Sequence, residues 1–294
     1  MALARTRGRR RRSVLPRWRS RVRQFGITLV FVLVGSGLWY TQEQEYRDQL
    51  SWMGVPTWDT LTPLTVHRVL RNDGFLVGWS DVRVNPLWVS YLLHDVKERR
   101  AAPRPDFRRD WRTLWPIAAD SYFGSGYDRG HLAPNYAIAV VHGRQAQEQS
   151  FLMSNISPQR PDLNRRLWQR LEEVVIDHFV PRFGVVQVIT GPVFPERFLD
   201  NVTNRVGLVE IPEAFYKIVV VPAEEPMALA FIMPQEVRGD EPLDDYLVSI
   251  DEVEARTGLN FFPRLPEEVA EVLEGEVVAS GWALEEVARL PARY

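Results

Sequence analysis

The chain has 294 residues, no cysteine, and 36 basic against 38 acidic residues. That length suits one large domain or two small ones, and 45% apolar with 25% charged residues describes an ordinary folded protein. The missing cysteines exclude disulfides, thiolate metal sites and a cysteine nucleophile, without naming a compartment.

Ten arginines fall within the first 24 residues, with no acid among them. Without those ten, 26 basic residues remain against 38 acidic ones. Any nucleic-acid chemistry in the acidic body therefore needs its positive charge gathered locally. Phe25 to Tyr40 then runs without a charge. The basic flank and the Trp39-Tyr40 end predict an uncleaved signal anchor over 25–40, which puts the body outside the cytoplasm. The periplasmic side of a bacterial inner membrane comes first and the mitochondrial inner membrane second. A cleaved signal peptide and an arginine-rich organelle presequence compete with the anchor.

Residues 41–70 read as a juxtamembrane segment. Strands are predicted over 75–78 and 87–93, with Asn85-Pro86 as the break between them. Residues 97–112 form a basic, proline-containing loop with six arginines. Further strands are predicted over 185–191, 215–221 and 229–233, and a helical pattern over 243–257. The stretch 267–294 is an acidic, helical extension. One mixed α/β (α+β) domain over 71–266 follows, its central, largely antiparallel sheet flanked by helices.

The chemistry concentrates between residues 127 and 172. From Asp162 onward, Leu163, Leu167, Leu171, Val174 and Val175 keep helical spacing and should face the core, with Asp162 as the cap. Asn164, Trp168 and Glu172 follow one another at four-residue steps along the edge of that face. About 12 Å of helical rise separates Asn164 from Glu172, so a water-mediated role suits the glutamate. Asn164 could offer a neutral oxygen to a hard cation, although a surface asparagine near a helix start is the commoner case. His131 follows Gly130, where the backbone can turn tightly, and a neutral imidazole can accept a proton near neutral pH. Asn155 could orient that imidazole or its loop.

Asp128-Arg129-Gly130-His131, Ser154-Asn155-Ile156-Ser157-Pro158-Gln159 and Asn164-x-x-x-Trp168-x-x-Leu171-Glu172 resemble the DNA/RNA non-specific endonucleases, a family with a ββα-metal active site. Trp88 to Tyr91, Thr190 to Phe194, Phe215 to Lys217 and Ser249 to Pro263 extend the resemblance over roughly residues 70–266. It implies a Mg²⁺-dependent hydrolase, Mn²⁺ being the other candidate ion, that cuts DNA or RNA without reading sequence. His131 would be the general base and Asn164 the protein ligand of the metal. Asn155 and Glu172 would support the site, Glu172 through water. Arg129 would touch the phosphate or shape the site. An upstream arginine would stabilise the phosphorane-like charge: Arg104 matches best and Arg108 is the alternative. Asp128, Arg108, Arg165 and Arg166 would bind substrate, with the basic loop and the Arg160, Arg165, Arg166, Arg170 cluster forming a positive groove. Nucleic acid and, through the N-terminal helix, a membrane are the implied partners, and a homodimer is compatible. Two rivals stand beside this reading: an inactive membrane-tethered nucleic-acid-binding protein, and a phosphodiesterase acting on another substrate.

Overall fold

A computed structural model describes residues 17–195 and 203–292. The basic segment through Arg12 lies outside them. The chain divides into two units, Met1–Tyr46 and Arg47–Tyr294.

The first unit is dominated by helix α1 (Arg17–Leu50), which continues ten residues past Tyr40. Its stretch Gln24–Leu50 is long and apolar enough to cross a membrane. The helix presents large apolar side chains on all sides, among them Phe25, Phe31, Leu33, Leu38 and Trp39.

The second unit is built on a seven-stranded sheet. Its strands are β1 (Arg68–Asn72), β2 (Phe75–Ser80), β3 (Asn85–His94), β6 (Val185–Val193), β7 (Ala214–Val221), β8 (Met227–Pro234) and β9 (Leu247–Val248). In spatial order they run β9-β8-β7-β6-β3-β2-β1, and every neighbouring pair is antiparallel. Strands β2, β3, β6 and β7 are buried along nearly their whole length, as the middle of a sheet covered on both faces must be.

The expected break at Asn85-Pro86 is not one: both residues belong to β3, and the chain turns at residues 81–84 instead. Asn85 is buried there, and its amide donates to the Glu210 carbonyl at 2.6 Å. A buried side chain with a backbone partner belongs in a strand as readily as in a turn. The 243–257 pattern also divides, into a 3₁₀ turn Leu243–Tyr246, strand β9 and helix α4 (Ile250–Thr257).

Two further strands, β4 (Asp128–His131) and β5 (Ile156–Gln159), pair antiparallel beside the main sheet, with helix α2 (Asn135–Ser150) in their connection. Strand β5 leads through Arg160 into a continuous helix over residues 161–183, here α3. Gln235 fixes that junction: its Oε1 accepts from the Arg160 N–H at 2.8 Å, and its Nε2 donates to the Pro158 carbonyl at 2.7 Å. Helix α3 contains two five-residue π-helical stretches, Leu163–Leu167 and Val175–Phe179, around an α-helical Trp168–Val174. Asp162 already has helical φ/ψ and makes no side-chain cap, so the helix starts one residue earlier, at Pro161. Pro tolerates that first position because its missing N–H would be unpaired anyway. The π turns shift the buried face, and Trp168 joins the leucines in the core at 1% exposure.

The back of α3 is held by the C-terminal segment. Trp282 sits with ring centroids 4.8 Å from both Phe179 and Phe183. Arg170, expected in a positive groove, is instead buried and donates to the carbonyls of Leu290, Ala288 and Glu241 at 2.7 to 2.8 Å. Those acceptors lie 71 to 120 residues away in sequence, out of reach of any local pattern.

Candidate active site

The β4–β5 ribbon and the start of α3 form one wall of a cleft with two lobes. The larger, about 680 Å³, is lined by Arg129, Asp128, Tyr127 and the turn around Tyr122 and Phe123, among others. The smaller, about 450 Å³, is lined by His131, Gln169, Glu172 and the start of α2. Arg104, Asn164 and Arg165 line both lobes.

Gly130 does not sit in a turn. It lies mid-strand opposite Ser157, and a Cβ there would fall 2.0 Å from Oε1 of Gln159. Only glycine lets the buried Gln159 side chain pack across the strand, and that fixes the register in which His131 faces Ile156.

The His131 ring lies against Phe151 at a centroid distance of 4.7 Å and Phe107 at 5.3 Å. Arg104 and Arg129 stand over the same phenylalanines, Arg129 at 4.5 Å from the Phe107 centroid and Arg104 at 5.4 Å from that of Phe151. Burial drives the imidazole pKa down to about 3, and the charges of Arg104 and Arg129 push the same way. The ring is therefore neutral at physiological pH, and its Nε2 is buried without a hydrogen-bond partner.

Asn155 does not hold the imidazole. Its Oδ1 accepts from the Ala133 N–H at 2.9 Å, and its Nδ2 donates to the carbonyls of Ala133 at 3.0 Å and Ser150 at 2.8 Å. It clamps the chain just beyond His131 to the end of α2. Ser154, in the same motif, donates to Asp110 at 2.6 Å, and Asp110 in turn holds Arg112.

Asp128 accepts from Asn164 Nδ2 at 2.9 Å and from both Nε and Nη2 of Arg165 at 2.7 Å. Burial alone would raise this carboxyl, but the donors outweigh it and hold its pKa below the ordinary range. With its N–H on Asp128, the Asn164 amide keeps Oδ1 for a ligand. Glu172 lines the same lobe, and its buried Oε1 has no hydrogen-bond partner. Asn164 Oδ1 and the Glu172 carboxylate, the latter 4.0 Å from Lys217 Nζ, are hard oxygens of the kind a hard divalent cation takes.

Most of the expected positive groove is spent elsewhere. Arg99 pairs with Asp177, Arg112 with Asp110, and Arg109 donates to the Pro116 carbonyl. Arg108 donates to the Glu148 carbonyl and lines neither lobe. Arg166 reaches Asp162 and the Arg238 carbonyl, while Arg160 lies over the Tyr127 ring and pairs with Glu236. Arg104 and Arg129 remain at the cleft, and Arg165 lines it while paired with Asp128.

Sequence reasoning assigned no role to Lys217, whose side chain comes from the middle of β7 to within 4.0 Å of Glu172. It likewise passed over Phe107 and Phe151, which box the histidine. A lysine inside an otherwise apolar strand is the one signal that could have drawn attention to the first.

The sequence model for DNA/RNA non-specific endonucleases matches residues 60–268. A mitochondrial nuclease of Saccharomyces cerevisiae is 28% identical over 242 residues, covering 73% of this chain and 71% of that protein. The mitochondrial nuclease EXOG of Homo sapiens is 35% identical over 222 residues, covering 69% of this chain and 59% of that protein. A nuclease of Serratia marcescens is 32% identical over 205 residues, 64% of this chain and 73% of that one. The chain thus spans between 59% and 73% of these relatives. Among solved structures, a chain from the EndoG/EndoGI complex has the same fold at a TM-score of 0.65 and 24% identity, covering 76% of this chain and 94% of that one.

Proposed function

The chain belongs to the DNA/RNA non-specific endonuclease family, and from that premise we propose that it hydrolyses phosphodiester bonds of DNA and RNA without reading sequence. The observation that carries the proposal is the composition of one cleft lobe. His131, Asn164, Glu172 and Arg104, from three separate parts of the chain, line it together.

In this reading the neutral His131 takes a proton from water as its oxygen bonds to phosphorus and the bond to the leaving oxygen breaks. Asn155 keeps the base in place by clamping Ala133. Arg104 and Arg129 face the phosphate. Its negative charge offsets the two guanidiniums, which after burial are the lesser cause of the low imidazole pKa, and so acts to raise the basicity of His131. Asp128 orients the Asn164 amide so that Oδ1 can hold a divalent cation, Mg²⁺ first and Mn²⁺ second, with Glu172 supporting it through water. When bound, that cation supplies charge stabilisation at the phosphate and leaving oxygen. Arg165 contacts the phosphate backbone once it leaves Asp128.

The uncharged run of residues 25–40, inside the span-length segment Gln24–Leu50, then acts as a tether that keeps the nuclease body on the non-cytoplasmic face of a membrane. The mitochondrial names of two relatives make the mitochondrial inner membrane as suitable a home as a bacterial one.

Digestion of supercoiled plasmid and of unstructured RNA, with Mg²⁺ and with EDTA, tests the activity. Both substrates should be degraded to short products and EDTA should abolish it. Intact plasmid and RNA after prolonged incubation with Mg²⁺ would sink the proposal.

A further inference from the structure

The larger lobe has a wall that the proposed chemistry does not use. Phe123 lines it with 95% of its surface exposed. The ring is not on a loose end. The 3₁₀ turn Ala119–Tyr122 leads into Phe123, whose N–H donates to the Asp120 carbonyl at 2.9 Å. Tyr122 is buried in the core, and both the N–H and the hydroxyl of Ser125 donate to its carbonyl, at 3.2 and 2.8 Å. A hydrogen-bonded turn anchored by its neighbour thus presents a bare aromatic face to solvent.

The charges around it select the partner. Arg104, Arg129 and Arg165 line the same lobe along with Asp120 and Asp128, the last paired with Arg165, and Asn164 connects it to the lobe holding His131. Cations that track phosphates beside an aromatic face on which a base can stack are the two parts of a single-strand binding groove. An intact duplex has no use for such a ring, because its bases are already stacked on one another. Trp111, Leu114 and Trp115 are also exposed but do not line the cleft, so they have no part in this argument.

We propose that Phe123 is a stacking platform for an unpaired base of the strand being cut, which makes single-stranded or locally melted nucleic acid the preferred substrate. The proposal rests on the nuclease reading above and deepens it to a substrate class.

The test is a binding measurement on the full chain in detergent, with His131→Ala and EDTA to prevent cleavage. Fluorescence anisotropy compares a short single strand, its duplex and a fully abasic backbone of equal length. Phe123→Ala should weaken single-strand binding roughly 5- to 150-fold, the range for losing one stacked base, and leave duplex binding within about two-fold. Phe123→Trp should keep the affinity. The abasic backbone should bind the parent and Phe123→Ala proteins equally. Unchanged single-strand affinity in Phe123→Ala, or an equal loss on duplex and on abasic backbone, overturns the stacking role while leaving the nuclease reading intact. Absence of binding to all three ligands, in parent and variant alike, overturns the nuclease reading beneath it.

Discussion

Lys217 Nζ lies 4.0 Å from Glu172 Oε1, and neither atom makes a hydrogen bond. Nζ also stands 4.2 Å from the centroid of the Trp168 ring. Burial raises the Glu172 carboxyl pKa and lowers that of the Lys217 ammonium, and each charge pulls the other back. Even with the ammonium beside it, burial leaves the Glu172 carboxyl pushed up to about 7.

Lys217→Met should therefore strand Glu172 and destabilise the fold by about 3–5 kcal/mol, the usual cost of breaking a buried ion pair from one side. Glu172→Gln added to Lys217→Met should recover much of that loss. Urea denaturation of the parent and the two variants measures it. A single variant as stable as the parent would show that the two groups are not charged together.

The roles of His131, Asn164 and Glu172 separate by metal titration. His131→Ala should cut turnover by about 10²–10⁴-fold at every Mg²⁺ concentration, since it removes a base and no ligand. Asn164→Ala should regain activity as Mg²⁺ is raised. Glu172→Gln should fall between them, because an amide keeps part of a water-mediated contact. Metal rescue of His131→Ala, with none for Asn164→Ala, would mean the two roles are exchanged.

Three cleft cations, not a broad basic groove, should set the salt dependence. With Arg104, Arg129 and Arg165 as the phosphate contacts, the logarithm of affinity should fall against the logarithm of salt with a slope of about −2 to −3. Sequence should matter little. A slope steeper than about −5 in a salt series would bring back the larger patch of residues 97–112.

Much of the site was legible in the chain. The first and third motifs bring Asp128, Arg129, His131, Asn164 and Glu172 to the cleft, because a two-stranded ribbon running into a helix is local in sequence, while Arg104, Asp120, Asn135 and Glu173 reach it from outside the motifs. Arg170 and Gln235 show what was not legible. Arg170 was expected in the groove, yet its partners come from 69 to 120 residues away, and Gln235 holds Arg160 and Pro158 from 75 and 77 residues away. The basic loop misled for a related reason: arginine counts say nothing of the carbonyls and carboxylates that will use those guanidiniums. Gly130 was rightly marked as special, but for a turn, when the cause is the Gln159 side chain lying across it.

Far from the cleft, Asp251 and Glu254 on α4 meet Glu274 on the next helix, α5 (Glu267–Gly275), with carboxylate oxygens within 4.8 Å of one another. Burial, with the neighbouring carboxylates, pushes Glu254 and Glu274 up to about 7 from an ordinary 4.5. Between those values the folded chain binds more protons than the unfolded one, so stability falls as pH rises from about 4.5 to about 7 and then levels. Glu274→Gln should raise the melting temperature at pH 8 and leave it nearly unchanged at pH 5. Thermal scans at the two pH values check this. An equal shift at both would point to helix propensity rather than charge.

The Trp282 and Arg170 contacts bear on how this protein can be produced in pieces. A recombinant fragment ended at residue 268, where the family match stops, would keep every cleft residue. It would also uncover Phe179 and Phe183 and take the Ala288 and Leu290 carbonyls from a buried guanidinium. Such a fragment would look complete on an alignment and precipitate on expression, its sticky surface lying on the back of the very helix that carries Asn164 and Glu172.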